Sequence, residues 1–225
     1  QLLTEETIES SYQSSIATIW KDRVAKHQEY TAKIPFSDFK VFDFICQNVP
    51  KNSQLQVSNS SAIRYLQLFD LDKSIQVFCN RGTSGIDGST STAIGAALAS
   101  DLPTMLITGD ISFLYDSNAL WNNYIPKNFK IILLNNSGGG IFRILPGHQE
   151  TETFNTYFET SHQLNALHLA KMYGFDYYTA TDEDSLKTSY KSFLNQNNKP
   201  CILEIFTPEK SNNRILLDFF GALKK

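Results

Sequence analysis

Ile131-Ile132-Leu133-Leu134-Asn135-Asn136-Ser137-Gly138-Gly139-Gly140 is the stretch that decides the fold. Four consecutive apolar side chains without polar alternation read as a strand covered on both faces, and such strands belong to parallel sheets held between helical layers. The run stops at two amides and three glycines, where the backbone can turn tightly and present carbonyls to a ligand. Taken alone, a glycine-rich turn of this kind is equally an ordinary loop.

Outward from this strand the same pattern repeats. Apolar runs at 55–57, 75–78, 105–108, 177–179 and 202–206 join 131–134 as six expected strands. Stretches of helical length and composition lie among them at 61–69, 89–100, 164–173 and 184–195, with Gly174 placed as a C-terminal stop. This alternation predicts an α/β, doubly wound fold: a six-stranded, mainly parallel sheet with helices on both faces. Upstream, Ile8, Tyr12, Ile16, Ile19, Trp20 and Val24 recur at spacings of three and four, predicting an amphipathic helix over 5–28 inside a lead-in segment, 1–34. Ser37 and Asp38 then cap a second helix that ends before Pro50 and opens the main domain, 35–225. The one long irregular segment, 136–159, is of a length that in compact domains is functional or disordered.

A chain of 225 residues that is 41% hydrophobic can bury a sizeable core, so one large domain that folds alone is expected. The net charge of −3 carries no block of lysine or arginine to track a phosphate backbone, which argues against nucleic acid. No apolar run approaches the roughly 18 residues that span a bilayer, and the amino end has no basic-then-apolar signal, so a cytoplasmic protein is expected. The chain opens on Gln1 rather than methionine, which reads as a piece of a longer protein. Cys46, Cys79 and Cys201 are far apart, odd in number and set among apolar neighbours, as expected of buried reduced thiols.

In doubly wound sheets ligands bind beyond the carboxyl ends of the strands, so the residues just after each apolar run carry the chemistry. The third run ends in Thr108-Gly109-Asp110-Ile111-Ser112, and Asp110 is on its own either a helix cap or a ligand-binding carboxylate. Asp110 and Asn136 are separated by about one strand-helix-strand unit, which can bring both to one sheet edge. A carboxylate, an amide oxygen and a backbone carbonyl are hard oxygen donors suited to magnesium, which keeps its other positions for phosphate and water. The second run ends in Asn80-Arg81-Gly82-Thr83-Ser84-Gly85-Ile86-Asp87-Gly88-Ser89, where a helix N-terminus is expected to receive an anion. The first ends in Ser58-Asn59-Ser60, with Arg64 one helical turn on. Guanidinium forks match carboxylates, although Arg64 is also readable as a surface ion pair and Ile86 as plain packing. His27, His148, His162 and His168 form no metal-ligand spacing and are given no catalytic role; His148, after Pro146, is the one to mutate.

Gly109-Asp110 followed at this spacing by Asn135-Asn136 resembles the motif of thiamine diphosphate enzymes, whose aspartate, second asparagine and a carbonyl two residues later hold the metal. The resemblance implies that Asp110, Asn136 and Gly138 bind Mg²⁺ or Mn²⁺; Ile111 stands where many members have glycine, which removes no ligand. Asn80 to Gly88, Asp110 to Leu120 and Gly138 to Phe142 are further similar to the menaquinone-pathway branch of the family, and the similarity covers about residues 35–210. That branch decarboxylates 2-oxoglutarate and adds the succinyl unit to isochorismate. By this resemblance Ser60, Arg64 and Arg81 meet substrate carboxylates, Ile86 sits beneath the bent cofactor, and Ile86, Arg81 and Arg64 serve catalysis. Ser84, Ile111, Ser112 and Gly139 would touch the cofactor, and Ile141 and Phe142 would line cofactor and substrate together. Activation in the family needs a glutamate from an N-terminal pyrimidine-binding domain, usually of the partner subunit. Neither that domain nor the middle domain has a counterpart here, so the chain alone is expected to bind Mg–thiamine diphosphate weakly, turn over nothing, and belong to a homodimer or homotetramer. A nicotinamide oxidoreductase shares the alternation but lacks a Gly-x-Gly-x-x-Gly after its first strand. A relative acting on smaller monocarboxylic 2-oxo acids, or a non-catalytic module of the same fold, remains as an alternative.

Overall fold

The computed structural model describes residues 11–145, 147 and 149–224. Six strands, β1 (Gln54–Val57), β2 (Gln76–Cys79), β3 (Thr104–Gly109), β4 (Lys130–Asn135), β5 (Asp176–Ala180) and β6 (Cys201–Phe206), form one sheet in the order β2-β1-β3-β4-β6-β5. Every neighbouring pair is parallel. The strand at 131–134 is central and buried throughout, as its unbroken apolar run requires.

Successive strand residues face opposite sides, and the core divides accordingly. One side holds Ile107, Ile132, Leu134, Leu203 and Ile205 against α2 (Asp38–Asn48), α3 (Ser61–Leu66), α7 (Glu183–Asn195) and α8 (Asn212–Ala222). The other holds Leu106, Ile131, Leu133 and Ile202 against α4 (Ser89–Ala99), α5 (Asp110–Tyr115) and α6 (Leu167–Tyr173). The lead-in helix, α1, runs over Ser11–Lys33 and so continues past 28; residues 5–10 of its expected span lie outside the described residues. Tyr30 fastens α1 by donating to the Ile215 carbonyl at 2.5 Å, and His27 packs its ring against Phe39, Phe69 and Phe219.

Ser37 caps α2 by accepting from the Lys40 N–H, as its position before the apolar run implies. Gly174 takes φ +77° at the end of α6, a left-handed turn that favours glycine. Helix α3 stops at Leu66 rather than 69, α6 begins at Leu167 rather than 164, and α8, whose Ile215, Leu216 and Phe219 form its buried stripe, was not anticipated. Cys46 and Cys201 are buried free thiols, whereas Cys79, on the edge strand β2, is only half-buried.

Candidate functional site

The carboxyl ends of β1, β3 and β4 open on one cleft of about 230 Å³. The sheet topology creates it: β2 lies on one side of β1 and β3 on the other, so the chain leaves these adjacent strands in different directions and a crevice remains. Ser60, Ile86, Asp110, Ile111 and Ser112 line it from β1, β2 and β3, and Asn136, Gly138, Gly139, Ile141 and Phe142 from β4.

The two turns singled out in the sequence touch directly. The Gly138 N–H donates to Asp110 Oδ2 at 3.0 Å and the Ile111 N–H to Oδ1 at 2.8 Å. The Gly138 carbonyl accepts from the Gly140 N–H at 3.0 Å and keeps a second lone pair. Gly138 has φ +157°, and a Cβ there would stand 2.8 Å from the Glu159 carbonyl oxygen. Gly138→Ala is therefore expected to cost roughly 1–3 kcal/mol in urea unfolding. A cost under about 0.5 kcal/mol, the noise of surface substitutions, would mean that the overlying segment yields freely.

That segment is the π-helical stretch Phe154–Glu159. Glu159 and Arg143 are both buried and form a bidentate pair, with Glu150 on the remaining guanidinium nitrogen. The Glu159 carbonyl accepts from the Gly139 N–H at 2.6 Å, so the ion pair holds the stretch down on the glycine turn.

Asn135 and Asn136 divide their work, since adjacent strand residues face opposite sides. Asn135 points with Leu133: its Nδ2 donates to Glu204 Oε1 at 2.6 Å and to the Leu164 carbonyl at 2.9 Å, and its Oδ1 accepts from the Ser137 N–H at 3.1 Å. Glu204 also accepts from the Ala166 N–H at 2.8 Å and the Tyr177 hydroxyl at 2.6 Å. Asn136 points with Leu134, and its Nδ2 donates to Asp38 Oδ2 at 2.9 Å. Asn136 Oδ1 is buried and has no hydrogen-bond partner. Burial pushes the Asp38 carboxyl up to about 6, against its hydrogen bonds from Thr207 and Asn136 and with the charge of Asp110 adding to the rise.

Ile86 is hung between two strand ends. Buried Asn59 donates to the carbonyls of Asn80 and Gly85, both at 2.6 Å, and the Ser112 hydroxyl donates to the Ile86 carbonyl at 2.5 Å. Arg81 Nη1 donates to Asn59 Oδ1 at 3.2 Å, and Arg64 Nη1 to the Ser60 carbonyl at 2.8 Å. Arg64, Arg81 and Ser84 are exposed and are not part of the cleft wall; Ser84 turns its hydroxyl to the Arg81 carbonyl at 3.1 Å.

At the N-terminus of α4, read as a place for a bound anion, the Asp116 carboxylate accepts from the Ser91 N–H at 2.7 Å and the Ser91 hydroxyl at 2.6 Å, while the hydroxyls of Ser89 and Thr90 are buried without a hydrogen-bond partner. Spacing missed His162. Its Nδ1 accepts from the Leu164 N–H at 3.1 Å, which turns Nε2 towards Asp110 Oδ2 at 3.3 Å. Pairing with Asp110 pushes this imidazole up, with burial opposing. His148 lies outside the described residues.

Residues 59–205 match the family described as thiamine pyrophosphate enzyme, C-terminal TPP binding domain. The chain belongs to this family. It is similar to the 2-succinyl-5-enolpyruvyl-6-hydroxy-3-cyclohexene-1-carboxylate synthases of Flavobacterium johnsoniae, 63% identical over 97% of this chain, and of Flavobacterium psychrophilum, 65% identical over 96%. In both cases the chain spans 39% of the relative's length. Its fold is shared with a thiamine diphosphate-dependent 4-hydroxybenzoylformate decarboxylase of Rhodococcus jostii RHA1, at 24% identity and a TM-score of 0.59, over 77% of this chain and 33% of the other.

The donor set suits the metal expected beside the diphosphate. Asp110, Asn136 and Gly138 offer the cleft a carboxylate, an amide oxygen and a backbone carbonyl, all hard oxygen donors. An unpaired buried amide oxygen costs about 1–3 kcal/mol unless a donor or cation meets it, and Asn136 Oδ1 is such an atom on the cleft wall. Among the described residues no helix is long and apolar enough to cross a membrane.

Proposed function

We propose that residues 35–225 are the diphosphate- and magnesium-binding domain, and 1–34 its lead-in, of a cytoplasmic synthase that decarboxylates 2-oxoglutarate and adds the succinyl unit to isochorismate in menaquinone biosynthesis. The single observation that carries this reading is the meeting of Asp110, Asn136 and Gly138 at one cleft with the Asn136 amide oxygen unpaired. The identities to the Flavobacterium synthases support the choice of substrates.

In this reading Asp110, Asn136 and the Gly138 carbonyl hold Mg²⁺ or Mn²⁺. Ile86 supports the cofactor rings from its tethered loop, and Ile141 and Phe142 exclude water from the cleft. Thiamine diphosphate supplies the electron sink for decarboxylation when bound. Ser60, Arg64 and Arg81 orient the carboxylates of 2-oxoglutarate and of isochorismate. Pyrimidine-binding and middle domains outside this chain complete the site in a homodimer or homotetramer, so the chain alone turns over nothing.

Calorimetric titration of the chain with thiamine diphosphate is the direct test. Binding that appears with Mg²⁺ and vanishes on chelation is expected; binding indifferent to metal would overturn the anchor. Substrate class is tested in the full-length enzyme. Arg81→Ala is expected to raise the KM for 2-oxoglutarate by roughly 10-fold or more, the worth of a charge-assisted hydrogen bond of about 1.5–3 kcal/mol. An unchanged KM would favour a relative acting on smaller monocarboxylic 2-oxo acids.

A further inference from the structure

Asn136 reaches the metal position with an ambiguity that its own shape cannot resolve. An amide side chain has an oxygen end and an NH₂ end of nearly equal size, and only its partners decide which faces which way. Presented oxygen-first it is a cation ligand; presented NH₂-first it repels a cation.

Asp38 supplies the decision. Its Oδ2 accepts from Asn136 Nδ2 at 2.9 Å, and an acceptor-only carboxylate cannot receive the oxygen end of an amide. The carboxylate is itself fixed: the Thr207 hydroxyl donates to Oδ1 at 2.5 Å, and the Asp38 N–H donates to Asn212 Oδ1 at 2.9 Å. Thr207 follows β6 directly and its N–H donates to the Asn135 carbonyl at 3.0 Å, so the holder is pinned to the strand that carries the amide. Asp38 is 3% exposed, Thr207 8% and Asn212 6%, so water does not compete for these bonds. The first turn of α2 adds the positive end of a helix, which favours an anion there.

We propose that Asp38 is a positioning residue that orients the Asn136 amide so that its oxygen, and not its NH₂ group, faces the metal. This rests on the reading of Asp110, Asn136 and Gly138 as the metal-holding set. Asp38 tunes the affinity for the divalent ion without contacting it, and through the ion the affinity for thiamine diphosphate. Outer partners of metal ligands are typically worth 10–100-fold in metal affinity.

The test compares Asp38→Ala, Asp38→Asn and Thr207→Val with the unaltered chain, in calorimetric titrations of thiamine diphosphate at graded Mg²⁺ and with metal chelated. Asp38→Ala is expected to weaken metal-dependent binding by roughly 10–100-fold while metal-free binding is unchanged. Asp38→Asn offers an oxygen to Asn136 and an NH₂ to Thr207, so it is expected to stay within about 3-fold of the unaltered chain, a small fraction of the outer-partner effect. Thr207→Val removes only the support and is expected to fall between. Should the alanine variant not fold, the contrast between the asparagine and valine variants, each checked by near-ultraviolet circular dichroism, carries the same decision. Equal losses in the alanine and asparagine variants, or asparagine no better than valine, would replace orientation by a charge effect and overturn the proposal. An alanine variant with undiminished metal dependence would overturn it outright. Absence of metal-dependent binding in the unaltered chain would instead remove the metal-site reading, and the proposal with it.

Discussion

Asp110→Asn is expected to weaken magnesium-dependent capture of thiamine diphosphate by about 100-fold or more, at a cost in fold stability of about 1–3 kcal/mol. The substitution keeps the shape and one of the two acceptor oxygens. That oxygen can serve the Gly138 N–H, now 3.0 Å from Oδ2, or the Ile111 N–H, now 2.8 Å from Oδ1, and the NH₂ end leaves the other donor without its acceptor. The substitution removes the negative charge, which outweighs other contributions when a divalent cation is the partner. Loss of an outer partner costs 10–100-fold at metal sites, so loss of a charged ligand belongs at or beyond the upper end of that range. Without metal the sign reverses: a carboxylate facing a diphosphate is repulsive, and the variant is expected to bind thiamine diphosphate no worse than the unaltered chain. Calorimetry with and without Mg²⁺ reads both arms. Metal dependence that survives intact in the variant would show that Asp110 is a cap of α5 and nothing more.

The parts of this fold that were readable in the sequence are those set by short-range rules. Short apolar runs placed all six strands within a residue or two at each end, and the unbroken one, in β4, is buried throughout as such a run requires. The site turns were found for a related reason: chains bind ligands at strand ends in doubly wound sheets, and Asp110, Asn136 and the glycines stand there. What the sequence hid depends on contacts between distant elements. Asp38 reads as an ordinary first-turn acid, and its hydrogen bond to Asn136 spans 98 positions. Glu204 interrupts an apolar run as though it were an exposed polar residue, yet it is 0% exposed. His162 forms no metal-ligand spacing with the other histidines, but its neighbour is Asp110, reached only when the long loop folds back. The Asn135-Asn136 pair could be quoted as a motif, but which amide faces the cleft follows from the sheet's sidedness.

Glu204 is where the second large effect is expected. Glu204→Ala is expected to destabilise the chain by about 3–5 kcal/mol, or roughly 10 °C in Tm for a domain of this size. The carboxylate gathers three donors that have no water to turn to: Asn135 Nδ2 on one oxygen, and the Ala166 N–H and Tyr177 hydroxyl on the other. Each hydrogen bond to a charged group contributes about 1.5–3 kcal/mol, and each buried donor left alone costs about 1–3 kcal/mol. Partial relaxation of Tyr177, which is only half-buried, keeps the total below the simple sum. Glu204→Gln separates shape from acceptor number. Its amide oxygen can serve Ala166 and Tyr177, but its NH₂ then confronts Asn135 Nδ2, and Asn135 cannot turn over without giving up the Ser137 N–H. A loss between the unaltered chain and the alanine variant, about 1–3 kcal/mol, is expected. The damage propagates, because Asn135 anchors Ser137, whose neighbour Gly138 donates its N–H to Asp110. A Glu204→Ala variant that unfolds within about 1 kcal/mol of the unaltered chain, the worth of one ordinary hydrogen bond, would show that the network is not what holds the turn in place.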